Sequence, residues 1–182
     1  IYVVGKLYNT DTNLTNSSYI YASNSTQIVD AQWNHSITFA ENRTIDENTI
    51  INGDLYIIGG TTVLEADLNI ENTLYLNSCT LNLNGYTLTV NNDLYLSANG
   101  STTYLKINKG KLYVNGNFNM QRINGNYGEG YLTMVNSEDY ICVNGDFTVN
   151  VWYSGNKLTD GVIEVKGDFT HKRSSNGYTF NP

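Results

Sequence analysis

One four-residue phrase constrains this chain more than any other feature. Asn52-Gly53-Asp54-Leu55 returns as Glu71-Asn72-Thr73-Leu74, Asn91-Asn92-Asp93-Leu94, Asn115-Gly116-Asn117-Phe118, Asn144-Gly145-Asp146-Phe147 and Lys166-Gly167-Asp168-Phe169. The copies begin 19, 20, 24, 29 and 22 residues apart, and each follows Ile51, Ile70, Val90, Val114, Val143 or Val165. Between copies, apolar and polar residues alternate, as in Thr80-Leu81-Asn82-Leu83 and Tyr86-Thr87-Leu88-Thr89-Val90. That alternation is the period of a short strand with one buried face. No segment carries helical spacing. A strand unit of about 20 residues cannot bury its apolar face alone, and stacking coil upon coil is the arrangement that resolves this.

The expected fold is therefore all-β, a parallel β-solenoid of about six or seven coils. The upward drift of the spacing favours a right-handed coil over the stricter register of left-handed hexapeptide helices. Composition agrees, since 40% of residues are hydrophobic, 15% are charged and the single proline is Pro182. In this register Asn-Gly makes the corner, with Gly and Asn expected to supply positive φ. The residues expected inward are Val90, Leu94 and Leu96 in one coil, Val114, Phe118 and Met120 in another, and Val143, Phe147 and Val149 in a third. Residues 1–35 lack the phrase and read as an N-terminal cap, with the coils running over residues 36–182. Residues 121–130 and 153–161 read as outer loops. The last coil stops without an edge-blocking feature before Pro182, so the natural protein is expected to continue.

Three stretches, Leu81-Asn82-Leu83-Asn84-Gly85-Tyr86-Thr87-Leu88-Thr89-Val90, Leu112-Tyr113-Val114-Asn115-Gly116-Asn117-Phe118, and Gly130-Tyr131-Leu132-Thr133-Met134 with Val143-Asn144-Gly145-Asp146-Phe147, resemble repeat regions of large secreted surface proteins of Gram-positive anaerobic bacteria. The resemblance spans residues 49–170. It implies export to the extracellular space or cell surface and a multi-module parent chain with β-solenoid stalks or adhesive modules. It carries over no catalytic residues.

Two columns of side chains are candidates for chemistry. Tyr56, Tyr75 and Tyr95 each follow the Leu of their phrase and so line the outer face of three successive coils. Such a stripe can bind the apolar faces of sugar rings or stabilise the sheet by cross-strand contact. Asp54, Asp93, Asp146 and Asp168 share another slot, interrupted by Thr73 and Asn117. Stacked carboxylates suit calcium, but an Asx turn capping its own corner is the simpler account, and the nine-residue calcium repeat is absent. No metal or cofactor is expected.

Other residues narrow the function further. The arginines are only Arg43, Arg122 and Arg173, and His35 falls in the expected cap. His171 takes an inward slot near the last coil, which leaves thin material for acid-base work. Cys79 and Cys142 lie two coils apart, beyond bridging distance. Glycosylation sequons, such as Asn24-Ser25-Thr26 and Asn99-Gly100-Ser101, arise readily in so Asn-rich a chain. A net charge of -7 repels phosphate backbones and anionic lipid, so nucleic acid is not an expected partner. No run is apolar enough for membrane insertion by a helix. The expectation is a non-catalytic structural or adhesive module of an exported protein. Its partners would be an extracellular glycan, another copy of itself, or neighbouring modules of a longer chain. A carbohydrate-active enzyme and a self-assembling filament subunit are the alternatives.

Overall fold

A computed structural model describes residues 36–98, 101–122, 129–151 and 157–172, together with short strands between residues 2 and 33. Among the described residues there is no helix, and strand pairs with strand in parallel throughout. The chain visits three sides in order. One turn, for example, runs through Leu74–Asn77 on the first side, Thr80–Asn82 on the second and Thr87–Val90 on the third. The first side is a nine-stranded sheet from Tyr2–Val3 to Phe169–His171. The second has five strands, from Arg43–Ile45 to Gly130–Thr133, and the third has seven, from Gln32–Trp33 to Val162–Val165. This is the parallel β-solenoid expected from the repeat.

Complete three-sided turns begin at Ile37–Phe39, Leu55–Ile57, Leu74–Asn77, Leu94–Ala98 and Phe118–Arg122, which makes about five rather than six or seven. A further turn holds Phe147–Asn150 and Val162–Val165, but its second side is a single bridge, Met134 to Leu158. The expected cap over residues 1–35 also differs. Ile20–Ala22 pairs with both Tyr2–Val3 and Ile37–Phe39, and Gln32–Trp33 pairs with Thr49–Ile51, so these strands extend the same sheets. The physical reason is that a parallel edge is satisfied by any further strand. The corner phrase is not required, and Ser36 already holds the slot that Asp54 holds one coil later.

The inward residues read from the alternation are all buried. Val90, Leu94, Leu96, Val114, Phe118, Met120, Val143, Phe147 and Val149 are each 1% exposed or less. Like residues sit in register one strand spacing apart, about 4.8 Å. Leu74 lies over Leu55 and under Leu94, and the Phe118 and Phe147 rings stack 4.6 Å apart. Each fully buried side chain of this size contributes about 1.5–3 kcal/mol. Polar residues also enter the core on the second side. Arg43 is buried with its guanidinium 4.3 Å from the Phe39 ring centroid, and burial lowers its pKa to about 10, so it stays charged at neutral pH.

The corner between the third and first sides holds the phrase. Its second residue forms a backbone ladder along the axis: the Asn92 N–H donates to the Asn72 carbonyl (3.2 Å), Gly116 to Asn92 (3.0 Å), Gly145 to Gly116 (3.0 Å) and Gly167 to Gly145 (3.1 Å). Positive φ occurs at Gly60, Gly85 and Gly161 and at Ser78, Asn84, Asn108 and Lys109, but not at the phrase glycines. The expected reason for Gly at this corner is thereby corrected. A Cβ on Gly145 would lie 2.6 Å from the Gly116 carbonyl oxygen and 2.6 Å from Asn117 Oδ1, so crowding by the coil below, not φ, disfavours a side chain there. Asn92, by contrast, fills the same slot two coils earlier above Asn72, whose Oδ1 accepts its Nδ2 at 3.1 Å.

At the last coil the inner column opens. Phe169 is 49% exposed, and Ile163 and Val165, which continue the columns of Ile141 and Val143, are only half-buried. A cavity of about 670 Å³ there is lined by Met134, Phe147, Leu158, Ile163, Val165 and Phe169 among others. His171 lies in the inward column above Val149 and is half-buried.

Candidate functional site

The tyrosine stripe forms a ladder on the first side. Strand register places Tyr75 between Tyr56 and Tyr95, and the ring centroids are 4.7 and 5.2 Å apart with planes within 5° and 7° of parallel. The rings are half-buried, and both faces of Tyr75 are covered by its neighbours. What Tyr75 offers solvent is therefore its ring edge and hydroxyl, whereas Tyr56 and Tyr95 each have one face outside the stack, toward Thr38 and Asn119. Tyr56 and Tyr95 each donate to the carboxylate two residues earlier, Asp54 Oδ2 and Asp93 Oδ2, both at 3.2 Å. Burial first, and then the charges of Asp54 and Asp93, raise the Tyr75 pKa. Burial first, and then Asp93, raise that of Tyr95.

The carboxylate column bonds along the axis rather than within each corner. Asp54 Oδ1 accepts the Thr73 N–H (3.2 Å), Asp93 Oδ1 that of Asn117 (2.7 Å), Asn117 Oδ1 that of Asp146 (2.9 Å) and Asp146 Oδ1 that of Asp168 (2.9 Å). Ser36 Oγ does the same for Asp54 at 3.1 Å. The Asx-turn account had the right chemistry and the wrong acceptor geometry, because the N–H that is capped belongs to the next coil. Among the described residues, no group of three or more His, Cys, Asp and Glu gathers as a metal-ligand set.

Three features escaped sequence reading. The first residue of the phrase builds a side-chain ladder: Asn91 Nδ2 donates to Glu71 Oε2, Asn115 Nδ2 to Asn91 Oδ1 and Asn144 Nδ2 to Asn115 Oδ1, each at 2.7 Å. Its signal was the recurring Asn itself. A second tyrosine stack, Tyr104 over Tyr131 at 5.0 Å, lies on the second side, with Tyr131 donating to Glu129 Oε2 at 2.8 Å. Variable coil length hid that register. Asp139 is 1% exposed and accepts three backbone N–H groups, from Lys109, Val135 and Asn136. Only its place at a corner could have pointed to it.

The remaining candidates are scattered. Cys79 and Cys142 are free and buried, and burial pushes the Cys79 thiol up to about 12, out of the reactive range. On the third side, Tyr140 donates to Glu164 Oε2 at 2.8 Å, and this bond is the main cause of its raised pKa. Of the expected loops at 121–130 and 153–161, residues 123–128 and 153–156 fall outside the described residues, as do His35, Arg173 and the corner expected at 174–177. Comparison with protein-family models, curated proteins and solved structures finds no match to this chain.

Proposed function

We propose that this chain is a non-catalytic structural module of an exported surface protein, a rigid spacer whose polar exterior holds the rod together. The observation that carries this reading is the direction of the outward bonds. The Asp and Asn of the corner bond to the next coil, the Asn file bonds to itself, and the tyrosines stack on one another. Side chains that an enzyme would aim at a substrate are here aimed along the axis. The cavity at the last coil supports the same reading. Among the described residues its lining has one carboxylate, Asp160, whose Oδ1 accepts the Gly161 N–H, whereas glycoside hydrolysis calls for a pair.

Export rests on the resemblance of the repeat phrases and on an exterior of Asn, Thr and Tyr rather than Lys and Glu. The partners this implies are neighbouring modules of a longer chain. A glycan-holding face, read earlier from the tyrosine stripe, would have to use ring edges, hydroxyls and the outer faces of Tyr56 and Tyr95, since both faces of Tyr75 are taken. X-ray scattering and single-molecule stretching test the spacer role together with a glycan array. The expected result is rod-like scattering of one cross-section, coil-by-coil mechanical unfolding and a blank array. Turnover of a polysaccharide by the purified chain would overturn the reading. Glycan binding that is lost in Tyr75→Ala would replace it with an adhesive one.

A further inference from the structure

The stacked tyrosines carry a chemistry that cohesion alone does not explain. Three ring pairs lie face to face at close to the strand spacing: Tyr56 with Tyr75 (4.7 Å, 5°), Tyr75 with Tyr95 (5.2 Å, 7°) and Tyr104 with Tyr131 (5.0 Å, 13°). Each pair contains a phenol already donating to a carboxylate, through Tyr56 to Asp54, Tyr95 to Asp93 and Tyr131 to Glu129. The rings are half-buried rather than sealed in the core, so a small oxidant in solution reaches their edges. A fourth pair is different. Tyr113 and Tyr140 are 5.8 Å apart and tilted by 57°, although Tyr140 also donates to a carboxylate, Glu164.

We propose that the ladders Tyr56–Tyr75–Tyr95 and Tyr104–Tyr131 are oxidative modification sites, at which one-electron oxidants weld adjacent coils through intramolecular dityrosine bonds. In the first step the oxidant takes one electron from a phenol, and the phenolic proton passes to its hydrogen-bonded carboxylate or to water. A second equivalent of oxidant does the same to the stacked neighbour. The two phenoxyl radicals, held face to face, form one carbon–carbon bond between their ortho positions. Each ring then regains aromaticity by losing its ortho proton while its oxygen takes a proton back. The balance is two phenols giving one biphenol, two protons and two electrons, the electrons being held by two reduced oxidant molecules. Tyr75, with a ring on either face, is the residue common to both first-side links.

The test uses the whole folded chain at low concentration, photo-oxidised with ruthenium tris-bipyridyl and persulfate as the one-electron oxidant. Dityrosine fluorescence gives the yield, and tandem mass spectrometry of digested monomer locates the links. The expected product is a monomer lighter by two hydrogen atoms per link, joined at Tyr75 to Tyr56 or Tyr95 and at Tyr104 to Tyr131. Tyr75→Phe should remove the first-side link and leave the Tyr104–Tyr131 link as an internal control of folding. The proposal is overturned if Tyr113–Tyr140 is linked as often as the stacked pairs. Links found only between molecules, or formed in equal yield in urea-unfolded chain, would overturn it equally.

Discussion

Two corners of the same coil behave in opposite ways. From the third side to the first, three residues separate the strands in every turn: 52–54, 71–73, 91–93, 115–117, 144–146 and 166–168. From the first side to the second, the gap is three residues after Leu55–Ile57, two after Leu74–Asn77, four after Leu94–Ala98 and seven after Phe118–Arg122. The uniform corner carries a backbone ladder at its second residue and a side-chain ladder at its third. The variable corner uses a different partner in each turn. Thr61 N–H donates to Asn42 Oδ1, Thr80 to the Gly60 carbonyl and Thr103 to the Glu129 carbonyl. The phrase corner therefore keeps register, while the spacing of the repeat grows at the other two, including the corner from the second side to the third, where the gap rises from three residues at 46–48 to six at 134–139.

The sharpest way to break this comparison is to add the same residue to both corners. A glycine inserted between Gly145 and Asp146 shifts register by one and turns Phe147 and Val149, both buried, toward solvent. At about 1.5–3 kcal/mol for each misplaced side chain, the loss should be several kcal/mol, read from urea unfolding. One added within residues 123–128, where the gap is already long, should cost less than about 1 kcal/mol. Equal costs would end the argument. Val143→Asp, which puts an unpaired charge into a fully buried column beside the uniform corner, should cost about 4 kcal/mol or more. An unchanged melting temperature in that variant would refute the register.

The difference between the corners also explains what could be read from the sequence. The inward columns were legible because period two is local, and Val90, Leu94 and Leu96 announce themselves within a few residues. The axial bonds were not, because Asn117 and Asp146 are 29 residues apart and nothing local says that one caps the other. Inward Arg43 and Thr62 were hidden by their polarity, although register places them in one column with Leu81. The strands before residue 36 lacked the phrase and so read as a cap, yet Ser36 in place of Asp was signal enough for a corner. Of the candidate site, the tyrosine stripe was visible as a column. The fact that its faces close on one another required the ring geometry.

Two glycines separate the reasons for having no side chain. Gly145→Ala meets the Gly116 carbonyl and Asn117 Oδ1 and should cost about 1–3 kcal/mol by overpacking. Gly85 has open space around its Cβ position but a φ of 90°, so Gly85→Ala should cost about 1–2 kcal/mol through backbone strain. The discriminating variant is asparagine, which tolerates the left-handed region. Thermal melts should show Gly85→Asn recovering part of the loss and Gly145→Asn recovering none, because Asn92 fills that slot by bonding to Asn72 below it, whereas Gly145 lies over Gly116, which has no side chain to bond. Recovery at both positions would mean that the uniform corner is set by φ after all.

The smallest expected effect concerns the carboxylate at the uniform corner. Asn117 occupies the same slot as Asp146 and makes the same bond one coil earlier, its Oδ1 accepting the Asp146 N–H at 2.9 Å. An amide oxygen therefore suffices, and Asp146→Asn should change stability by no more than about 0.5 kcal/mol. Asp146→Ala removes the acceptor for the Asp168 N–H at a solvated corner and should cost about 1 kcal/mol. Calcium separates this account from a shared-ion site. If Asp146 and Asp168 held an ion only in the folded state, the melting temperature would rise with calcium by mass action and fall on chelation. With Asp146 Oδ1 already bonded to the next coil, we expect the melting temperature to stay constant from chelator to millimolar calcium. A rise with calcium in the native chain that disappears in Asp146→Asn would place an ion at the corner and make its charge, not its hydrogen bond, the reason for aspartate there.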